Sequence, residues 1–252
     1  MSKVSRRKLL TTGLLTAAGA TGLGVAAKLA ERYGLIPPDA GVLYGAGETL
    51  TYAAQRLFAR HSLAPEFARS QISKDPFANA VDPLGAEFQR LQEGGFVDWR
   101  LAVDGMAARP ASFSLAELKR FPQSSQITEI ACEEGWSYVA EWSGVPLAHV
   151  LNLVGAFPQV RYVVYRSFQR DWWDSIDMAD ALHPQTLLAL GMNGGELPVP
   201  FGGPLRLRVP RQLGYKNVKY ITRLTLTNSL KGFGQGLGSA APEGGYAWYA
   251  GI

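Results

Sequence analysis

Residues 130–136 read Ile-Ala-Cys-Glu-Glu-Gly-Trp and contain the one cysteine of this 252-residue chain. Cys132 therefore has no disulfide partner within the chain. A lone thiol can be a small buried apolar side chain or an incidental free thiol. It can also be a thiolate ligand to a soft metal ion. The residue alone leaves all three interpretations open, and the surrounding sequence has to decide.

The segments on both sides of Cys132 predict a strand and short helices. Residues 126–132 are predicted to form a strand that ends at the cysteine. Upstream, Ser114 and Glu117 have the spacing of a capping box, which predicts a helix to about Arg120. Downstream, apolar residues at 147, 150, 151 and 154 repeat with the period of an amphipathic helix.

Farther out, strands dominate the pattern. They are expected at 99–103, 161–168, 186–192, 205–209 and 218–227, and weaker helical patterns at 49–60 and 84–91. The turn Asn193-Gly194-Gly195 predicts a hairpin whose second arm is Leu197-Pro198. Short helices at irregular intervals between strands favour an α+β fold with a mixed sheet over a doubly wound sheet.

The N-terminus has the pattern of an export signal. Arg6 and Arg7 precede residues 9–27, which carry no charge and are rich in Gly, Ala and Thr. This pattern predicts a twin-arginine signal peptide over residues 1–27 and a periplasmic location. The alternatives are a Sec signal or a retained membrane anchor, because the uncharged run is long enough to span a bilayer.

The basic balance of the chain comes from this leader. The chain has a formal net charge of +4, and Lys3, Arg6, Arg7 and Lys8 carry four positive charges. The remainder is close to neutral, so the composition gives no support for nucleic acid as a partner. We assign residues 28–95 to an N-terminal extension of helix and loop packed on the core, and residues 96–252 to the core itself.

Three motifs follow one another along this core. Cys132 with Glu133 and Glu134 comes first, followed by Trp142-Ser143-Gly144-Val145-Pro146-Leu147. The second is Gly202-Gly203-Pro204-Leu205-Arg206, and the third is Gly214-Tyr215-Lys216-Asn217-Val218-Lys219. In this order they resemble the sulfite oxidase family of molybdopterin-dependent oxidoreductases. The similarity covers about residues 98–226 and is greatest to its periplasmic methionine-sulfoxide reductase catalytic subunits and shorter bacterial relatives.

The resemblance implies a fold, a cofactor and its ligands. It implies the sulfite oxidase fold and a molybdopterin whose molybdenum is ligated by Cys132. Arg206 and Lys219 stand where the family holds the phosphate end of the cofactor; the alternative is that both are solvated strand charges. The further cofactor contacts that we infer are Asn79, Ser167, Asn217 and Val218. Phe201 stands where the family has a His or Asn, so one polar contact is missing or replaced.

Two acidic residues depart from the sulfite-oxidising members of the family. Glu133 and Glu134 follow the cysteine where those members have arginines. Carboxylates beside the metal repel a dianion, so we expect reduction of an oxygen-bearing substrate such as a sulfoxide. Glu134 is the candidate catalytic proton relay, with a hydrogen-bonded structural carboxylate as its alternative. The alternative functions are a sulfite or small-oxyanion oxidase and a non-catalytic cofactor-binding protein.

The resemblance also bears on partners. It implies a monomeric catalytic subunit that takes electrons from another protein, such as a membrane cytochrome b, and acts on a small or protein-bound oxidised substrate. The aromatic and acidic segment 171–174 is a candidate lining of the substrate funnel, with a packed loop as its alternative.

Export gives the first testable prediction. Because the twin-arginine signal is an address read by a receptor, changing Arg6 and Arg7 together to Lys is expected to leave the precursor in the cytoplasm. Cell fractionation with immunoblotting measures this. Undiminished export of the double variant would indicate the Sec route instead.

Overall fold

A computed structural model of the protein describes Leu35, residues 46–79, residues 84–240 and residues 246–252. The predicted signal peptide, residues 1–27, lies outside these described residues. None of the helices in the described ranges is both long and apolar enough to cross a membrane.

The first of two sheets has five strands. These are β1 (Arg100–Gly105), β2 (Ala111–Ser114), β5 (Tyr162–Ser167), β6 (Trp173–Asp177) and β10 (Ile221–Thr227). Their order across the sheet is β2-β1-β10-β5-β6. β1 and β10 run parallel, and the other neighbouring pairs are antiparallel. The sheet is therefore mixed, as the sequence predicted.

The second sheet carries the cysteine segment. It contains β3 (Ser124–Ala131), β4 (Ser137–Pro146), β7 (Leu187–Met192) and β8 (Gly195–Glu196) in that order, with β9 (Arg206–Arg208) paired to β7. All these pairs are antiparallel. Cys132 directly follows β3, which confirms that a strand delivers it to its position.

Five short helices connect or flank the strands in the described ranges. They are α1 (Ala46–Phe58), α2 (Ala86–Glu93), α3 (Leu115–Arg120), α4 (Leu147–Leu153) and α5 (Met178–Ala181). The capping box before α3 is confirmed, because Glu117 N donates to Ser114 Oγ at 3.2 Å and Ser114 N donates to Glu117 Oε2 at 2.8 Å. Mixed sheets with short helices confirm the predicted α+β class.

One apolar core joins the two sheets. Leu101 of β1 and Leu224 of β10 belong to the same buried cluster as Leu188 of β7 and Leu207 of β9. The apolar face of α4 completes it with Leu147, Val150, Leu151 and Val154 of the predicted stripe. Burial of this shared surface, which is the dominant favourable term in folding, holds β7 and β9 against the first sheet, and β3 is joined to β7 through β4.

The structure corrects several local predictions. The sequence patterns did not predict β2, β4 or β6, and the segment 171–174 runs into β6 at Trp173. The second arm of the hairpin is Gly195–Glu196 and not Leu197-Pro198. The chain leaves the ladder there because Pro198 has no N–H to donate, and a 3-10 turn over Val199–Phe201 follows.

Helix α1 is bonded to the core by a buried ion pair. Arg56 Nη2 lies 2.7 Å from Asp177 Oδ2 and 2.9 Å from Asp180 Oδ2, and all three side chains are buried. Tyr52 of the same helix donates its hydroxyl to Asp177 Oδ2 at 2.6 Å. The N-terminal helix and the segment from β6 to α5 are therefore one cooperative unit.

Removing Arg56 tests this unit. Arg56→Met leaves two buried carboxylates without their main partner and is expected to cost about 3–5 kcal/mol of unfolding free energy. The matched control is Arg69→Met, which breaks the surface pair of Arg69 with Glu141 and is expected to cost at most about 1 kcal/mol. Urea unfolding measures both values, and equal losses would contradict the buried anchor.

Candidate cofactor-binding and active site

A cavity of about 330 Å³ opens beside the end of β3. Six of the eight predicted site residues line it, namely Asn79, Cys132, Glu134, Arg206, Asn217 and Lys219. They come from segments far apart in the chain, so the fold brings them together. The other lining residues are Glu133, Trp136, Gln169, Trp172, Gly214, Tyr215 and Tyr246.

Cys132 is half-buried in a tight turn that directs it into this cavity. Its N–H donates to Trp136 O at 2.9 Å, and Gly135 N donates back to Cys132 O at 3.1 Å. Gly135 adopts φ 91°, which glycine accepts without steric cost. Backbone hydrogen bonds of the turn therefore fix the position of the cysteine.

Burial and two carboxylates keep this thiol protonated. Cys132 Sγ lies 3.2 Å from Glu133 Oε2 and 3.8 Å from Glu134 Oε2. Burial first, and then these carboxylates, raise the pKa of the Cys132 thiol to about 12. A metal ion that binds there has to replace the proton, as coordination of a thiol generally does.

Glu134 holds two neighbours in place. Its Oε2 accepts from Trp136 Nε1 at 2.7 Å and from Asn79 Nδ2 at 3.0 Å. One carboxylate oxygen thus fixes the indole of Trp136 and the amide of Asn79 at the cavity. The catalytic proton-relay role of Glu134 stays a prediction beside this positioning role.

Arg206 is a buried cation at the cavity wall. It is 3% exposed, and it donates from Nε to Asn217 O at 3.0 Å and from Nη1 to Phe201 O at 2.9 Å. Burial lowers the pKa of its guanidinium. The carbonyl of Phe201 thus contacts the cation, while its ring lies edge-on to Tyr138 with centroids 5.8 Å apart.

Arg208 is a second buried cation that the sequence analysis missed. Its guanidinium carbon lies 4.7 Å from the ring centroid of Trp142, and that of Arg206 lies 5.4 Å from the same centroid. Burial and the charge of Arg206 lower the pKa of Arg208 to about 9. The spacing i, i+2 in a strand, which places two residues on one face, is the signal that could have found it.

Lys219 is the third cation. Its Nζ donates to Asn79 O and, at 2.6 Å, to Pro200 O. Burial and then the charge of Arg206 lower the pKa of Lys219 to about 7. Gly202, at φ 109°, lets the chain pass close by, since a Cβ there would lie 3.0 Å from Lys219 Cγ and 3.2 Å from Arg206 Cβ.

Asn217 connects the cations to the loop that follows β9. Its Oδ1 accepts from Arg208 Nη1 at 2.6 Å and from Val209 N at 2.7 Å. Its Nδ2 donates to Gln212 O and Leu213 O at 3.3 and 3.0 Å. Every side-chain hydrogen-bonding group of this buried amide is therefore in use within the wall of the cavity.

Two predicted contacts do not line the cavity. Ser167 is buried, and its Oγ accepts from Gln169 N at 3.1 Å. Val218 packs in the shared core, and its carbonyl accepts from Leu207 N at 3.1 Å. Val218 lies between the lining residues Asn217 and Lys219, and Ser167 is bonded to the lining residue Gln169. The roles of Ser167 and Val218 as cofactor contacts stay predictions.

The residues present fit an anionic cofactor with a thiolate-ligated metal. Within the described ranges, Arg206, Arg208 and Lys219 have no carboxylate within 4.0 Å. Buried charges are costly unless they are paired. Arg206 and Lys219 line the cavity, so the phosphate of a pterin bound there would pair these two cations. The described residues contain no group of three or more His, Cys, Asp or Glu side chains that could hold a metal ion.

Comparisons with known proteins agree with this fit. Residues 90–232 match the oxidoreductase molybdopterin binding domain. A chain of Azospira oryzae, named by inference as protein-methionine-sulfoxide reductase subunit YedZ1, is 40% identical over 77% of this chain and 70% of its own length. The protein-methionine-sulfoxide reductase catalytic subunit MsrP of Xanthomonas campestris pv. campestris is 35% identical over 52% of this chain. The chain covers 46% of that reductase.

A solved structure shares the fold. The sulfane dehydrogenase SoxCD of Paracoccus pantotrophus superposes with a TM-score of 0.51 at 21% identity, over 68% of this chain and 46% of its own. The predicted fold and the predicted molybdopterin cofactor are confirmed by these matches.

The cations give a prediction about cofactor retention. A charge-assisted hydrogen bond contributes about 1.5–3 kcal/mol, so Arg206→Ala and Lys219→Ala are each expected to weaken cofactor affinity roughly 10- to 150-fold. Molybdenum and pterin per mole of purified protein measure the loss. Lys231→Ala, at an exposed position, is the control. Full occupancy in the Arg206/Lys219 double variant would contradict the assignment.

Proposed function

The chain belongs to the family of molybdopterin-binding oxidoreductases, and from that premise we propose that it reduces methyl sulfoxides, with oxidised methionine in polypeptides as the substrate class. The named activity of its relatives supports the proposal. Its electron donor, its location and its oligomeric state belong to the same proposal.

The observation that carries the proposal is the charge beside the thiol. Both Glu133 and Glu134 place a carboxylate oxygen within 3.8 Å of Cys132 Sγ. A dianion such as sulfite would meet like charge there, and like charges in close contact oppose binding. A sulfoxide is neutral and does not meet this barrier.

The reaction balances with two electrons and two protons. The sulfur–oxygen bond of the sulfoxide breaks, the sulfur is reduced to the thioether, and the oxygen leaves as water with both protons. When bound, the molybdopterin supplies the redox centre for the electron pair. In this proposal Cys132 would ligate that centre, and Arg206 and Lys219 would hold the anionic end of the cofactor.

The electrons require a donor protein. We infer a membrane cytochrome b as the donor, a periplasmic location reached by the twin-arginine route, and a monomeric catalytic chain. The uncharged run at residues 9–27 after Arg6 and Arg7 supports the location. Retention of that run would anchor the chain to the membrane, and fractionation of the exported protein tests this.

The function is tested on the purified holoenzyme with reduced methyl viologen as the electron donor. Reduction of methionine sulfoxide, free and in an oxidised polypeptide, is followed by loss of the viologen colour. Sulfite oxidation is assayed in parallel with an artificial acceptor. We expect sulfoxide turnover and no appreciable sulfite oxidation.

The control is Cys132→Ser, which replaces the soft thiolate with a weak oxygen ligand and is expected to abolish turnover and the metal–sulfur signal in X-ray absorption. Efficient sulfite oxidation without sulfoxide reduction would assign the alternative oxidase function. Cofactor binding without turnover of either substrate would favour the non-catalytic protein.

A further inference from the structure

We propose that four aromatic residues form a binding site for the methionine sulfoxide side chain of a polypeptide: Trp136, Trp172 and Tyr246, which line the cavity, and Phe77, which packs against Trp136. We call this group the aromatic mouth. The inference rests on the proposed function and deepens it, because it says how a sulfoxide carried by a peptide is recognised.

Trp136 is the fixed wall of the aromatic mouth. Its indole N–H is bonded to Glu134, and its ring is stacked on Tyr138 with centroids 6.0 Å apart and planes inclined by 10°. The backbone carbonyl of Trp136 accepts a hydrogen bond from the N–H of Cys132. The ring is thus oriented before a substrate arrives, which lowers the entropic cost of binding.

Phe77 extends this wall outward. Its ring centroid lies 5.3 Å from that of Trp136, yet the residue is 53% exposed. Its loop is held at both ends, by Ser73 N donating to Val139 O at 3.0 Å and by Asn79 Nδ2 bonding to Glu134. The ring of Phe77 is therefore exposed to solvent on a loop with fixed ends, where a ligand can contact it.

Trp172 faces the cavity from the β5–β6 turn. Its backbone is fixed, because Trp172 N donates to Gln169 O at 3.2 Å and Trp172 O accepts from Ser167 N at 3.0 Å. The residue lines the cavity and remains 37% exposed. Tyr246 closes the set, with its ring centroid 5.1 Å from that of Tyr215.

The aromatic mouth is distinct from the cofactor-holding part of the cavity. The cations Arg206 and Lys219 and the amide of Asn217 lie in buried or half-buried backbone surroundings. Phe77 and Trp172 lie on the solvent side. The deep part suits a resident anion, and the outer part suits a ligand that enters and leaves.

The chemistry of a methionine sulfoxide side chain matches these surfaces. It has an unbranched apolar stem and an S-methyl group, and both can pack against aromatic rings. Residues that flank it in a polypeptide would lie over Phe77. Dimethyl sulfoxide has no stem and no flanking chain, so it would gain little from the outer rings.

The experiment is steady-state kinetics of the full-chain holoenzyme with reduced methyl viologen. The substrates are a short peptide with one central methionine sulfoxide, and dimethyl sulfoxide. For Trp172→Ala and Phe77→Ala we expect KM for the peptide to rise about tenfold, with kcat within about twofold of the wild type. KM for dimethyl sulfoxide should change less than threefold, and Trp172→Phe should restore most of the peptide KM.

The control is Phe157→Ala, which removes an exposed ring away from the cavity and is expected to leave both KM values unchanged. Molybdenum content is measured for every variant, so that loss of cofactor is not mistaken for loss of substrate binding. Peptide KM values that equal the wild type in both mouth variants would overturn the inference, as would a fall in kcat alone. If the wild type reduces no sulfoxide at all, the proposed function fails first.

Discussion

Within the part of the chain that the structure describes, three cations have no carboxylate within 4.0 Å, and they organise the site: the buried Arg206 and Arg208 and the half-buried Lys219. Arg206 and Arg208 share the face of Trp142, and Lys219 lies against backbone carbonyls. Burial lowers their pKa values because it disfavours the charged form, and the carbonyl groups and indole face that contact them oppose this effect. A folded state of this kind is completed by its anionic cofactor, so cofactor loading and stability are thermodynamically linked.

Much of the fold could be predicted because its signals are local. The capping box fixed α3, the 3.6-residue repeat fixed α4, and apolar β-branched runs identified β5, β7 and β10. The strand β6, Trp173–Asp177, was missed because two of its five residues are acidic. Its acids are buried against Lys216 and Arg56, partners 42 and 121 residues away, and no local pattern carries that information.

The site residues likewise divide into those that sequence motifs predicted and those that they did not. Residues in contiguous motifs, such as Cys132, Arg206 and Lys219, were found from the sequence and meet at one cavity. Arg208, Trp136 and Phe77 were not predicted as site residues, because their roles depend on side-chain contacts. Arg208 lies against the indole of Trp142, Trp136 is bonded to Glu134, and Phe77 packs against Trp136. Asn79 was placed by analogy, and the structure shows why it reaches the site, since Glu134 and Lys219 both bind it.

Charges of both signs line the cavity, and Asn79 lies between them because it is hydrogen-bonded to both Glu134 and Lys219. Cations line the part that would receive a phosphate, while Glu133 and Glu134 lie beside the thiol. An anion held by Arg206 and Lys219 is therefore favoured, and a second anion beside the thiol is disfavoured by the two carboxylates. Because Glu134 also holds Trp136, the same carboxylate that opposes anions orients an aromatic wall. In the proposed function, selectivity for a neutral, partly apolar substrate would then follow from one acidic residue acting in two ways.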